Sequence, residues 1–545
     1  MSQSKDQWGS RLGMILAVAG SAVGLGNFLR FPGLAAQNGG GAFMIPYFCA
    51  LIFLGIPICW AEWTMGKYGG QFGFNSCPAI FGVLGRRSIW RYLGVMGLII
   101  PIIIYMYYVY IESWCLQYAW NYAVGTVDLG HDASQYVAHS KAFFTHVTGS
   151  DTDGIMLRDG GLHQSVVFWL IVFALNFILI YRGLSKGIEA FCTWAMPVMA
   201  LCAIAVLVRV LTLGTPDPAK PSQNVWDALG FMWNPKPRAS GQSWMTQLLN
   251  PQVWMEAAGQ IFFSLSVGFG VIVNYASYLK RKDDIVLSGL TASATNEFFE
   301  VCLGGMITVP AAFIFLGAVG TQGSSFQVGF QTLPVVFQFM PAGRFFGCIW
   351  FFMLFLAAIT SSLSMLQPAI AFLEEGLGIG RRGSVSLLGL ITALGSFFVI
   401  WFSKDLVALD TMDTWVGTFM IFMLAMVQVA LFAWVFGVKK GIQFAHIGAE
   451  LKLPRLFGFM IKYVTPFYLA IVFVMWTIKN LPAYARQVLA GGVPLLTIGM
   501  IAAVSVFLLV LIALAGPRWK AESRDRGQLD APGPRGFPAS TGGKS

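Results

Sequence analysis

The chain has 545 residues, of which 56% are hydrophobic and only 11% are charged, and its formal net charge is +10 at pH 7. Soluble domains are about 45–50% apolar and about 25% charged, so this composition excludes a water-soluble protein. Disordered chains and coiled coils are also excluded, because both are rich in charge and poor in aromatic residues. The composition indicates an integral membrane protein.

Apolar windows long enough for a helix to cross a bilayer recur twelve times along the chain. We number them span 1 to span 12, and they cover residues 12–37, 42–66, 89–123, 165–184, 189–213, 253–278, 287–319, 345–373, 384–402, 406–437, 457–478 and 492–516. Strands of a membrane β-barrel alternate in polarity, whereas runs such as 98–104 are continuously apolar. The sequence therefore predicts an all-α membrane protein with twelve transmembrane helices.

The basic residues indicate how these spans are oriented. With the N-terminus inside, most of the 35 lysine and arginine residues fall in cytoplasmic segments, as the positive-inside rule requires. We therefore expect a multi-pass protein of the cell membrane (the inner membrane in a bacterium), with both termini in the cytoplasm. The positive charge then reflects topology, and no nucleic-acid partner is expected.

Spans 1 and 6 carry glycine-rich interruptions near their middle, AGSAVGLGN at 19–27 and FSLSVGFG at 263–270. An unwound stretch frees carbonyl oxygens, which suit a hard cation, and N–H groups, which suit a carboxylate. Packing of small residues between helices is the alternative explanation for one such segment. Two matched interruptions beside Asn27, Ser264 and Ser266 favour a transport site instead.

Several motifs resemble those of the neurotransmitter:sodium symporter family. They are WGSRLG at 8–13, GLGNFLRFP at 24–32, NGGGAF at 38–43, YYVYIESW at 107–114, YASY at 275–278 and QP at 367–368. The resemblance extends from about residue 5 to residue 516. It implies a five-plus-five inverted repeat in which spans 1–5 and 6–10 are the two halves and helices 1 and 6 are broken.

The resemblance also divides the chain into regions. Residues 1–437 are expected to form the transport core, and residues 438–516 the accessory spans 11 and 12. Residues 517–545 are rich in proline, glycine and arginine, which predicts a disordered cytoplasmic tail. The tail ends in Gly543-Lys544-Ser545, but Pro538 stands where a phosphate loop needs its first glycine, so no ATP site is expected.

Two sodium sites are implied by the resemblance. The first would use the carbonyl oxygen of Ala22, the amides of Asn27 and Asn296, Ser264 and the substrate carboxylate. The second would use the carbonyl oxygens of Gly20, Val23 and Ala357. The hydroxyls of Thr360 and Ser361 would complete it. Hydrogen bonding of these hydroxyls to their own helix is the alternative, and their place opposite the broken span 1 favours the ion site.

The substrate is expected between the same spans. Its carboxylate would bind the N–H groups of Leu25 and Gly26 and the Tyr108 hydroxyl, and its amine would bind carbonyl oxygens near Phe263 and Ser266. The full predicted set is Ala22, Gly24, Leu25, Gly26, Ile104, Tyr108, Phe263, Ser264, Ser266, Phe269, Ser361 and Met365. Family members that carry monoamines have aspartate at the position of Gly24, whereas glycine leaves room for a substrate carboxylate. Whether the side chain is leucine-like or aromatic stays open.

Acidic residues inside spans are costly, and the resemblance gives Glu300 a function. Chloride-dependent relatives have serine there, so Glu300 is expected to replace the chloride, and no chloride requirement follows. Glu62 and Glu112 are expected to make structural hydrogen bonds. The resemblance further implies an outer gate formed by Arg30 and Asp413, and an inner gate formed by Lys5, Trp8, Tyr278 and Glu375.

These residues predict a sodium-coupled symporter of neutral, mainly hydrophobic amino acids that works by alternating access. The expected partners are a small amino acid, two sodium ions and the lipid bilayer, and a homodimer is an open alternative to a monomer. There are two alternatives. One is a carrier of another small carboxylated zwitterion, and the other is a receptor or channel without coupled flux. An enzyme is not expected, because no span carries a nucleophile–base pair or a metal cluster.

Overall fold

A computed structural model describes residues 8–154, 157–158, 161–237, 243–321 and 323–525. The described chain is helical apart from one short hairpin, in which Leu157–Arg158 pairs with Gly161–Leu162. Lys5 of the predicted inner gate and residues 526–545 of the predicted tail lie outside the described residues.

Ten helices of the described chain are long and apolar enough to cross a membrane, and the bent span 1 makes eleven. The ten helices are Gly41–Gly70, Ser88–Val124, Gln164–Tyr181, Leu184–Leu211, Ile285–Gly320, Gly343–Leu377, Arg381–Trp401, Lys404–Ala445, Phe457–Leu489 and Val493–Trp519. Span 6 consists of two helices, Pro251–Leu265 and Val271–Ser277, each too short to cross alone. The all-α membrane fold is confirmed, and the number twelve stays a prediction.

Shorter helices connect the spans. They are Cys77–Gly85, Ala133–Gln135, Tyr136–Thr148, Val225–Trp233, Trp244–Leu249, Ser325–Gln327 and Leu333–Phe339.

The last helix runs through Val493–Asp525, so residues 517–525 continue span 12, and a disordered tail stays a prediction. Trp519 anchors this extension: its ring lies 5.9 Å from the ring of Phe372, and the Arg91 guanidinium lies 5.7 Å from its centroid. Burial of one large aromatic ring stabilises a segment whose composition alone favours disorder.

Spans 3 and 8 form the centre of the bundle. In the most apolar 18-residue window, 94% of span 3 and 78% of span 8 is buried, against only 22% of span 12. The residues that face the broken helices are therefore held by the most buried part of the protein, while span 12 lies at its periphery.

Span 1 is broken between Arg11–Ala22 and Gly26–Gln37, which meet at an angle of 49°. The Ser10 hydroxyl caps the first half by accepting a hydrogen bond from the Gly13 N–H at 2.9 Å. The Glu189 carboxylate of span 5 accepts two more from the N–H groups of Gly9 and Ser10, at 2.7 and 3.0 Å. These contacts satisfy the free N–H groups at the helix start.

Span 6 unwinds because three residues adopt left-handed backbone conformations, Ser266 at φ +53°, Gly268 at +77° and Gly270 at +86°. Glycine takes this conformation without the strain that a Cβ atom brings. The Gly268 N–H, which has lost its helical partner, donates to the Glu62 carboxylate at 3.0 Å. Glu62 therefore makes the structural hydrogen bond expected of it and satisfies one backbone group that the break leaves free.

Candidate functional site

The two breaks face each other in the interior. The Ser266 hydroxyl donates to the Ser21 carbonyl at 2.9 Å. A Cβ atom on Gly26 would lie 2.8 Å from the Phe263 ring, so the two unwound segments are in van der Waals contact. The structure thus brings together the free backbone groups of spans 1 and 6.

Span 7 completes the first predicted ion site. The Asn27 amide nitrogen donates to Asn296 Oδ1 at 2.8 Å and to Glu300 Oε2 at 3.1 Å, and Asn27 Oδ1 accepts from the Gly24 N–H at 2.8 Å. The Asn296 amide nitrogen donates to the Ser264 hydroxyl at 2.6 Å. The three predicted side chains, Asn27, Ser264 and Asn296, therefore meet at one point.

The orientation of the Asn296 amide decides what this point binds. One of its terminal atoms lies 3.2 Å from the carbonyl oxygens of both Ala22 and Ser264. With nitrogen in that position, the amide donates to both carbonyls and the site is self-satisfied. With oxygen there, three oxygens converge with no hydrogen between them, which is the donor set that a hard cation prefers. The residues present therefore fit a sodium ion.

The second predicted ion site gathers three carbonyl oxygens around one hydroxyl. Ser361 Oγ lies 3.3 Å from the carbonyl oxygens of Gly20 and Val23 and 3.1 Å from that of Ala357. One hydroxyl hydrogen satisfies only one of them, so the cluster has an excess of oxygen acceptors. The Thr360 hydroxyl bonds its own helix, at 2.9 Å from the Leu356 carbonyl oxygen, although its Cβ atom faces Gly20.

The predicted carboxylate site lies between these two clusters. The Leu25 N–H points to the Tyr108 hydroxyl at 3.5 Å. A Cβ atom on Gly24 would lie 3.0 Å from Ser361 Oγ and 3.1 Å from the Tyr108 hydroxyl, so glycine allows both hydroxyls to approach the backbone of span 1 closely. The arrangement presents N–H and O–H donors to an anionic group.

The predicted apolar residues surround this space at different depths. Phe263 and Phe269 have ring centroids 6.4 Å apart, and Phe269 is buried whereas Phe263 is half-buried. Ile104 lies one turn before Tyr108 and Met365 one turn after Ser361, and both are buried. These apolar side chains suit a neutral substrate side chain, and the charged group described next to them is the Arg30 guanidinium over the Phe263 ring.

Glu300 is fully buried and accepts hydrogen bonds from three directions. Gln260 donates at 2.8 Å, Asn27 at 3.1 Å, and the Ser264 hydroxyl also donates to it. The carboxylate thus contacts Asn27 and Ser264 of the first ion site. Its partners are the donors that an anion at this place needs.

Sequence reasoning missed a second carboxylate in this region. Glu297 lies one turn before Glu300, and its Oε2 accepts a hydrogen bond from the Tyr47 hydroxyl at 2.8 Å. The spacing of three residues on one helix was the available signal, because such residues share a face.

The predicted outer ion pair is not formed within the described residues. Asp413 accepts a hydrogen bond from the Tyr107 hydroxyl at 2.8 Å. The Arg30 guanidinium instead lies over the Phe263 ring at 5.2 Å, a cation–π contact. Both charged side chains are half-buried, so water offsets the cost of leaving them apart.

The predicted inner gate residues are likewise held by other partners. Trp8 donates to the Tyr275 carbonyl at 3.1 Å, and the Tyr278 hydroxyl accepts from Gln367 at 3.1 Å. Glu375 accepts from the N–H groups of Asn75 and Ser76 at 2.6 and 3.1 Å. Lys5 lies outside the described residues.

Ion pairs near Trp8 were not foreseen from the sequence. Arg11 lies 3.7 Å from Asp284 and 3.2 Å from Glu450, and these carboxylates belong to the segments before spans 7 and 11. Together with Glu189, they attach the start of span 1 to its neighbours.

Gly304 sets how closely span 7 approaches the broken span 1, because a Cβ atom there would lie 2.0 Å from the Asn27 carbonyl oxygen. We expect Gly304→Ala to push the helices apart, cost about 1–3 kcal/mol of stability and weaken sodium binding. Thermal unfolding with and without sodium measures both effects. Gly499→Ala, where the added Cβ atom would meet nothing within 4 Å, is the control, and equal behaviour of the two variants would contradict the expectation.

Comparison with known proteins shows which family this chain is similar to. The model of the sodium:neurotransmitter symporter family matches residues 5–517. An uncharacterized sodium-dependent transporter of Methanocaldococcus jannaschii is 29% identical over 86% of this chain and 90% of its own. The sodium- and chloride-dependent taurine transporter of Rattus norvegicus is 26% identical, over 89% and 80%. The crystal structure of MhsT in complex with L-phenylalanine matches with a TM-score of 0.72 and 25% identity, over 86% of this chain and 99% of that one.

Proposed function

The chain belongs to the sodium:neurotransmitter symporter family, and we propose that it carries neutral, mainly hydrophobic amino acids into the cell together with sodium. It is a sodium-dependent membrane transporter and not an enzyme. The proposal adds the substrate class, two sodium ions, independence of chloride, alternating access and cytoplasmic termini.

The observation that carries the substrate class is the presence of glycine, which has no side chain, at position 24. It faces the Tyr108 hydroxyl and Ser361 Oγ, beside the Leu25 N–H. A carboxylate placed there meets N–H and O–H donors, and no acidic side chain competes for the substrate amine at this position. A neutral amino acid supplies that carboxylate and an apolar side chain for Phe263 and Phe269. That MhsT was crystallised with L-phenylalanine supports the same class.

The two proposed ions suffice to drive accumulation. Two sodium ions that enter with a neutral zwitterion carry two charges, worth about 4.6 kcal/mol per 100 mV. Because a tenfold gradient costs about 1.4 kcal/mol, the membrane potential alone sustains a gradient of about a thousandfold.

Uptake into proteoliposomes tests the proposal. The purified chain is reconstituted, and a panel of labelled amino acids is offered with a sodium gradient, with potassium in place of sodium, and with chloride replaced by gluconate. We expect sodium-dependent accumulation of apolar amino acids in both anions. Equal uptake in potassium, or accumulation of no amino acid, would refute the proposal.

A second substrate class is favoured by one relative. The taurine transporter of Rattus norvegicus is named for an amino sulfonate, so the alternative is a small zwitterion with another acidic group. Taurine and β-alanine in the same panel decide between the two classes, since preference for either over the α-amino acids would support the alternative.

Asn27→Ala tests the first sodium site. The substitution removes an amide that accepts from the Gly24 N–H and donates to Asn296 and Glu300, and we expect about a tenfold or greater rise in half-saturating sodium. Sodium-dependent uptake at fixed substrate measures it. The control is Asn224→Ser in an outer loop, where the replacement also caps the helix that begins at Val225. An unchanged sodium requirement in Asn27→Ala would remove this residue from the site.

A further inference from the structure

Three polar side chains outside the candidate site meet in the interior of the bundle. They are Glu112 of span 3, Asn176 of span 4 and Ser362 of span 8, and each is fully buried. The Asn176 amide nitrogen donates to Glu112 Oε1 at 2.9 Å, and its oxygen accepts from the Ser362 hydroxyl at 2.8 Å. Polar groups at this depth are costly unless they are paired, and they often serve a function.

The network fixes the orientation of the Asn176 amide. Its nitrogen donates to the Glu112 carboxyl oxygen and, at 3.1 Å, to the Val172 carbonyl. Both contacts require a donor, so the amide oxygen must face span 8. There the amide oxygen accepts a hydrogen bond from the Ser362 hydroxyl. The same hydroxyl also lies 3.1 Å from the Ile359 carbonyl oxygen of its own helix.

Ser362 follows Ser361, the centre of the second oxygen cluster. Successive side chains of a helix point about 100° apart, so a hydrogen bond that directs Ser362 toward span 4 also sets the direction of Ser361. The Ser361 hydroxyl then lies opposite the Gly20 and Val23 carbonyls. The same network reaches the substrate site, because Glu112 lies one turn after Tyr108 on span 3.

We propose that Asn176 is a positioning residue of the second ion site. Glu112 orients its amide, and the amide holds span 8 in the rotation that places Ser361 among the carbonyl oxygens of span 1. The inference rests on the proposed function, since it takes this oxygen cluster to be a sodium site. It assigns a role in ion binding to span 4, which contributes no residue to the predicted sites.

Binding of radioactive sodium to the purified full-length chain tests this role. We expect Asn176→Ala and Ser362→Ala to raise half-saturating sodium by about tenfold or more, as loss of an outer partner does at metal sites. Ser362→Thr keeps the hydroxyl and Glu112→Gln keeps the carbonyl oxygen that accepts from Asn176. Both conservative variants are therefore expected to stay within about twofold of the wild type, since the hydrogen bonds persist.

Thr392→Ala is the matched control for loss of a buried hydroxyl. Thr392 is fully buried and bonds the Leu388 carbonyl of its own helix, so its loss is expected to leave sodium binding unchanged. If Ser362→Ala lowers the melting temperature but binds sodium like Thr392→Ala, the network is only structural and the inference fails. If the wild type itself binds no sodium, the proposed function fails first.

Discussion

Replacing Gly24 with aspartate is expected to abolish uptake of neutral amino acids. The new Cβ atom would lie 3.0 Å from Ser361 Oγ and 3.1 Å from the Tyr108 hydroxyl, so the carboxylate fills the space proposed for the carboxylate of the substrate. Two such charges about 4 Å apart repel by about 4 kcal/mol at an effective dielectric constant of about 20, which corresponds to about a thousandfold loss of affinity.

Substrate binding to the purified protein at saturating sodium measures this loss. Gly24→Ala separates crowding from charge, because it adds the same Cβ atom without the carboxylate. We expect the alanine variant to bind about tenfold more weakly than the wild type, as moderate overpacking requires. Equal loss in both variants would show that volume alone matters, and retained binding in Gly24→Asp would place the substrate carboxylate elsewhere. The aspartate variant is also expected to bind the amine that corresponds to the amino acid without its carboxylate group.

Replacing Glu300 with serine is expected to make transport depend on chloride. The substitution removes a buried negative charge but leaves the donors Gln260, Asn27 and Ser264 around its place. Hydrogen-bond donors that lack an acceptor destabilise a buried site. A chloride ion bound at the place of the lost carboxylate would accept from these donors. Uptake without chloride is expected to fall by about a hundredfold or more, since the sodium ion loses its neighbouring charge.

Uptake as a function of chloride concentration, with gluconate as the replacement, provides the measurement. Glu297→Ser is the matched control, because Glu297 lies one turn away and bonds Tyr47 rather than the donors of Glu300. We expect the control to stay independent of chloride. Indifference of Glu300→Ser to chloride, or chloride dependence in both variants, would remove the proposed role of Glu300.

The break in span 6 was predictable because its cause is local. Glycine at positions 268 and 270 permits left-handed backbone conformations that other residues avoid, and the structure uses both. The residues proposed opposite the breaks followed from the family resemblance, and the structure places Asn296, Thr360 and Ser361 in the interior that faces span 1. Their binding roles stay predictions.

Other features depend on distances that a sequence does not contain. Arg30 and Asp413 have opposite charges, but half-exposed ions gain little from pairing, and each has another partner. The extended final helix depends on Trp519 meeting Phe372, a contact between segments far apart in the chain. Asn176 gave no signal, because a single asparagine in an apolar helix has meaning only once its neighbours Glu112 and Ser362 are known.

The attachment of span 1 at its Trp8 end has a consequence for leakage. Four groups hold this end: Glu189 through the N–H groups of Gly9 and Ser10, the Tyr275 carbonyl through the Trp8 indole, and Asp284 and Glu450 through Arg11. These partners belong to four separate segments of the chain, so breaking one contact leaves the helix attached by the others. We therefore expect that loss of one contact alone neither detaches this end of span 1 nor lets ions leak.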